Sequence, residues 1–151
     1  MARMHAKKRG KSSSTRPYKT ENPKWVRQKP AEIEELILKY SKEGLSSSMI
    51  GLRLRDQHGI PNVRLATGKS ITQVLRDNDI RPNLPEDLAT LMRTAVHLNA
   101  HLKSNPKDLH NKRGLQLVES KIRRISKYYI RNGVMPKDWK YSIETAELQV
   151  K

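Results

Sequence analysis

The sequence predicts an all-α protein: a long antiparallel helical hairpin, an N-terminal subdomain of short helices, and a basic extended N-terminal tail. Three observations predict it. In the longest patterned stretch, residues 108–132, Leu115, Val118, Ile122, Ile125 and Tyr129 recur three or four apart, on one face of a helix. Aromatic residues are only 5% of the 151, with no Phe. The core must therefore come from Leu, Ile and Val, which suits packed helices better than half-buried strands. Gly and Pro punctuate the N-terminal half, so its helices are short. The chain divides into four segments: a basic extended tail (1–29), a helical subdomain (30–80), the helical hairpin (81–141) and a polar C-terminal tail (142–151).

In the first segment, ten cations stand against one acid, Glu21. KKRGKSSSTR has almost nothing to bury and cannot offset its ordering entropy alone. It is either a solubilising arm or an arm that orders along phosphate. So one-signed a charge favours the second, with Arg3, Lys7, Lys8, Arg9 and Lys11 as its contacts. Trp25 and Val26 are expected to dock the tail on the helical subdomain.

Pro30 opens the first helix, and Glu32, Glu34 and Glu35 complement the positive end of its dipole. Ile33, Leu36, Ile37 and Tyr40 form its apolar stripe, and Gly44 stops it. A second helix runs from Ser46 or Ser47 to His58 with Met49, Ile50, Leu52 and Leu54 as apolar residues. Val63 to Ala66 reads as a short extended piece turning at Thr67-Gly68. Ser70 caps a third helix with Ile71, Val74 and Leu75 inward. The trio could pass for a helix-turn-helix DNA reader, but Gly59 to Lys69 is too long a connection for that motif.

Arg81-Pro82-Asn83-Leu84-Pro85 marks the boundary between the halves. From Pro85 to about Lys103, Leu88, Leu91, Met92, Ala95, Leu98 and Leu102 recur at helical spacing, and Leu84 can staple onto Leu88. Ser104 to Lys107 is a turn, and Asp108 caps the last long helix. So short a loop forces the two long helices antiparallel. Trp139 and Tyr141 are expected to pin the C-terminal tail to the hairpin.

Lys plus Arg number 31 against 15 acids, a formal net charge of +16, so a polyanion is the default partner. The last helix concentrates the imbalance. Lys112, Arg113, Lys121, Arg123, Arg124, Lys127 and Arg131 face Glu119, and such a surface repels itself unless an anion covers it. Folded RNA is the expected cover. The chain has no cysteine, hence no disulfide and no thiolate ligand or nucleophile. No membrane span or signal peptide is visible, so an intracellular, cytoplasmic protein is expected.

Little supports catalysis. His97 and His101 are four apart, but the Glu of a zinc-binding HExxH is absent, and no nucleophile elbow or Gly-rich phosphate loop exists. No enzyme activity, cofactor, metal or small-molecule substrate is expected. The hairpin turn is the sharper candidate. His101 and Asp108 end the two helices on either side of a tight loop and so converge. An imidazole donates or accepts, and a carboxylate accepts from base amino groups or 2′-hydroxyls. Asn111, Lys112 and Arg113 lie on the first turn, and Gly114 allows close backbone approach. Farther along, Lys121 lies on the cationic face, and Arg124 and Tyr128, four apart, suit phosphate binding with stacking.

These residues carry a resemblance. HLKSNPKDLHNKRGLQLVESKIRRISKYY, His101 to Tyr129, resembles the signature of the small-subunit ribosomal protein fifteen family. MARMHAKKRGKS at the start, MIGLRLRDQHGIP (Met49 to Pro61), LPEDL (Leu84 to Leu88) and PKDWKY (Pro136 to Tyr141) resemble its longer archaeal and eukaryotic form. Arg113-Gly114-Leu115 looks more archaeal.

The resemblance implies an all-helical structural component of the small ribosomal subunit. Such a protein binds small-subunit ribosomal RNA early in assembly, at a helical junction of the central domain. It meets large-subunit ribosomal RNA at the subunit interface and touches neighbouring ribosomal proteins. The family's groove-reading His, Asp and Ser match His101, Asp108 and Asn111, with Asn a departure from Ser. Its junction-binding Arg and Tyr match Arg124 and Tyr128. A further family contact through Thr, Gly and Gln is not matched by Arg81, Pro82 and Asp87. A DNA-compacting architectural protein, using the same charge without a preferred site, is the alternative.

Overall fold

The computed structural model describes Thr15, residues 18–80 and residues 84–150. The tail cations Arg3, Lys7, Lys8, Arg9 and Lys11 and the boundary residues Arg81, Pro82 and Asn83 lie outside them. The described residues form seven α-helices and no strand, in two compact units that meet in sequence between Asn83 and Leu84.

The first unit holds four helices. Helix α1 spans Pro30–Lys42, and Glu32 accepts from the backbone N–H of Lys29 at 3.3 Å. Its Ile33, Ile37 and Tyr40, spaced four and three, are buried. Gly44, with φ +82°, turns the chain in the left-handed conformation that glycine adopts without steric cost. Helix α2 spans Ser47–His58, capped by the Ser46 hydroxyl accepting from Met49 N–H at 3.4 Å. Ile50 and Leu54 are its buried residues, whereas Met49 and Leu52 face solvent.

Val63 to Ala66, expected to be extended with a turn at Thr67-Gly68, belong to a short helix instead. This helix, α3, spans Val63–Thr67; the Asn62 side chain accepts from Arg64 N–H at 3.2 Å, and Gly68 ends it. Two caps with five residues between them are its only local signal, and so short a helix leaves no periodicity to register. Helix α4, Ile71–Asp77, starts on a reciprocal cap: Ser70 accepts from Gln73 N–H at 3.2 Å, and Gln73 accepts from Ser70 N–H at 3.4 Å.

The unit's core joins Ile33, Ile37, Tyr40, Ile50, Leu54, Ile60, Val63, Val74 and Leu75. Each fully buried aliphatic among them contributes about 1.5–3 kcal/mol. Val26 packs against this core. Trp25 stays 64% exposed and docks through its indole N–H, which donates to the Gly59 carbonyl at 3.3 Å.

The second unit is the hairpin and what covers it. Helix α5 spans Glu86–Ser104 and α6 spans Leu109–Arg131. Contacts at both ends make the pair antiparallel: Tyr129 near the end of α6 bonds Asp87 at the start of α5, and Asp108 at the start of α6 meets His101 at the end of α5. Leu88, Met92 and Ala95 from α5 pack with Ile122 and Ile125 from α6, while Leu84, Leu115, Val118 and Tyr129 flank them.

Beyond α6, Gly133 turns the chain, Met135 is buried, and Trp139 and Tyr141 lean on the same core. The polar tail expected past Tyr141 contains a further helix, α7, Ile143–Val150, which packs on α5 through the fully buried Ala146. Ser142 caps it by accepting from Thr145 N–H at 3.1 Å. No helix of the described residues is long and apolar enough to cross a membrane.

Candidate nucleic-acid interface

The charge is unevenly divided. Residues 30–80 carry seven Lys and Arg and seven Asp and Glu, while residues 84–150 carry twelve against seven. Residues 18–29 add Lys19, Lys24, Arg27 and Lys29 against Glu21, so both units attract a polyanion and the hairpin unit carries the larger net positive charge.

At the hairpin turn three of the expected residues meet. Asp108 is the N-cap of α6; its Oδ1 accepts from Asn111 N–H at 2.9 Å. Its Oδ2 accepts from the Asn111 carboxamide at 2.7 Å and lies 3.0 Å from His101 Nε2. Three donors on one carboxylate favour its charged form. The Asn111 backbone N–H, then His101, then the Asn111 side chain hold Asp108 down at about 2, against an ordinary 3.8. The carboxylate is thus less a free acceptor than the tie that orients an imidazole and a carboxamide. A fourth residue joins the knot unforeseen: the Asn105 Nδ2 lies 3.3 Å from His101 Nδ1 and donates to the His101 carbonyl at 3.1 Å. Its sequence signal was an Asn four residues past a His at a helix end, hidden in what reads as a plain turn.

Next to this elbow, Lys112 and Arg113 are exposed. A Cβ built on Gly114 would meet no protein atom within 4 Å, so packing within the chain does not demand glycine there. The position leaves room for another molecule's backbone.

Arg124 and Tyr128 are not at the elbow. Thirteen residues of helix separate Asn111 from Arg124, roughly 20 Å of rise. They and the half-buried Lys121 form a flank on α6. There Ser120, Arg123, Arg124 and Lys127 line a shallow groove of about 320 Å³. Arg123 is steered by Glu119, 3.6 Å away and one turn back. Tyr128 is 58% exposed and stands edge-on to Tyr129, ring centroids 5.4 Å apart. An exposed ring beside guanidinium and ammonium groups can stack on a base while they hold phosphate.

Among the described residues no three His, Cys, Asp or Glu are grouped to hold a metal ion. His97 and His110 point to solvent, and neither joins the knot.

Comparison with known proteins agrees along the whole length. The family model described as Ribosomal protein S15 matches residues 71–149, and that of the Ribosomal S13/S15 N-terminal domain matches residues 1–60. The small ribosomal subunit protein uS15 of Methanoculleus marisnigri is 51% identical over 98% of this chain and 97% of its own. That of Methanococcoides burtonii is 51% identical over 99% of both, and that of Methanocorpusculum labreanum 52% over 98% and 97%. With one family model matching residues 71–149, another matching residues 1–60, and relatives of half-identical sequence spanning nearly every residue, the chain belongs to the ribosomal protein S15 family.

Proposed function

We propose that this chain is a structural component of the small ribosomal subunit, at work in the cytoplasm. It binds small-subunit ribosomal RNA at a helical junction of the central domain and helps assembly. It also adds to the subunit interface by touching large-subunit RNA, beside neighbouring ribosomal proteins. The observation that carries this reading is the pre-tied elbow, His101–Asp108–Asn111, on the end of a rigid rod whose flank is cationic.

A-form RNA displays its 2′-hydroxyls and base edges in a wide minor groove, so shape and backbone contacts dominate recognition. The elbow enters that groove. Lys112, Arg113 and the bare Gly114 meet the adjoining backbone. Lys121, Arg124 and Tyr128 hold a second arm of the junction roughly 20 Å away, and two patches on one rod fix the angle between the arms. The basic tail, with Arg3, Lys7, Lys8, Arg9 and Lys11, tracks phosphate where a folded domain does not fit.

Readout and charge separate under mutation. His101→Ala or Asp108→Ala weakens binding to the junction RNA far more than to unrelated duplex RNA, whereas Lys127→Ala weakens both about equally. Equal losses for all three variants would remove the readout. Duplex DNA of equal length competing as well as the junction would favour a DNA-compacting role instead.

A further inference from the structure

At the hairpin turn the carboxamide of Asn105 is unused by the RNA reading. Asn105 is the C-cap of α5, with φ −128° and ψ 70°, and its backbone N–H donates to the His101 carbonyl at 2.9 Å. Its Nδ2 is 3.1 Å from that same carbonyl oxygen and 3.3 Å from His101 Nδ1. A carbonyl oxygen only accepts, so the amide atom turned towards it is the nitrogen. The second proton of that nitrogen then faces Nδ1. A ring nitrogen that receives a donor is the unprotonated one, so the neutral imidazole carries its proton on Nε2. Nε2 stands 3.0 Å from Asp108 Oδ2, which can only accept, and 3.4 Å from the Asn111 Nδ2, whose proton goes to that same Oδ2 at 2.7 Å.

We infer that Asn105 is a positioning residue for the elbow: from the Nδ1 side it reinforces the Nε2–H tautomer of His101 that the Asp108 carboxylate requires and stops the ring from flipping, so that His101, Asp108 and Asn111 are aligned before RNA arrives. The inference rests on reading the elbow as an RNA contact. The His101 side chain is 42% exposed, so burial alone does not fix it. In the other tautomer a lone pair would face the Asp108 carboxylate, and in a flipped ring a C–H would. Either way Asp108 loses a donor, and part of the RNA's binding energy goes into restoring the geometry.

The test uses the full chain, nitrogen-15 labelled, with long-range proton–nitrogen NMR at a pH well above the ordinary imidazole value. His101→Ala assigns the signals. In the unsubstituted protein Nδ1 reads as unprotonated and Nε2 as protonated. Asn105→Ala, with Asp108 alone left to hold the proton on Nε2, moves the two nitrogen signals towards each other, and Asn105→Asp, which offers a competing acceptor in place of the donor, raises the share of protonated Nδ1 further. Asn105→Ala also weakens binding to the junction RNA roughly 5-fold, the loss of one net hydrogen bond. It leaves a plain duplex unaffected and costs nothing further on top of His101→Ala.

A proton on Nδ1 in the unsubstituted protein, or an Asn105→Ala chain with unchanged nitrogen signals, overturns the inference. So does an Asn105→Ala chain whose signals converge yet which binds the junction undiminished while His101→Ala is weakened. If the tautomer responds as stated but His101→Ala binds the junction normally, the hold of Asn105 on the ring stands and the RNA reading of the elbow falls.

Discussion

The Tyr129 hydroxyl sits 2.8 and 2.7 Å from the two carboxylate oxygens of Asp87, bridging residues 42 apart in sequence. It closes the end of the hairpin opposite the elbow. Burial first, then the bond to Asp87, pushes the Tyr129 phenol up to about 12 from 10.0. A raised value means the bond's contribution is complete below pH 10.0 and is lost as pH climbs through about 12. Tyr129→Phe keeps the ring against the core and removes only this bond. It should cost about 1 kcal/mol at neutral pH, since the pair is partly exposed, and the gap from the unsubstituted protein should close in alkali. Denaturant melts at neutral and alkaline pH check both.

Asp108 gives the opposite sign. Its lowered value means that its contribution is complete above 3.8 and is lost as pH falls through about 2. The melting temperature of Asp108→Ala should lie below that of the unsubstituted protein at neutral pH, and the two should converge across that acid window. A gap independent of pH would mean that the carboxylate is not the group that ties the knot.

The interior of the hairpin is close-packed. Ile122 is fully buried between α5 and α6. Ile122→Ala should cost about 2–5 kcal/mol, transfer and cavity terms together, measurable as a lower denaturation midpoint with little change of slope.

Helix α7 makes a separate prediction. Ala146 is fully buried in its contact with the hairpin core. Ala146→Asp would bury a charge without a partner, so α7 should detach at a cost above about 2 kcal/mol. Backbone hydrogen exchange should then quicken across 143–150 while α6 stays protected. Unchanged protection in α7 would show that it does not pack there.

The same residues show what a sequence does and does not disclose. The stripes of α5 and α6 are long enough for their period to stand out, and Ile122 and Ile125 fall inward where the spacing puts them. Helices α3 and α7 escape because they are short and are held by caps and single contacts. At the elbow, His101 and Asp108 were legible because a short loop between long helices forces their ends together. Asn105 was not, since its role depends on which way one amide faces. Met49 and Leu52 look like core by composition and lie outside it because α2 offers only one narrow face, Ile50 and Leu54, to its neighbours.

Charge should dominate affinity while the elbow supplies preference. If roughly 8 phosphates are neutralised, the logarithm of the association constant should fall against the logarithm of salt with a slope of about −6 to −7. Salt titration on the junction RNA checks this. A nearly flat line would leave the cationic flank without its assigned role.

The most direct test of the elbow is the ratio of two affinities of the full chain at one salt concentration. One is for the central-domain junction of its own small-subunit ribosomal RNA, the other for a plain RNA duplex of equal length. A preference of roughly 10- to 100-fold, abolished in His101→Ala, is the expected result, in line with 1–3 kcal/mol for a good groove contact. Equal affinities, or a preference that survives His101→Ala intact, would contradict it.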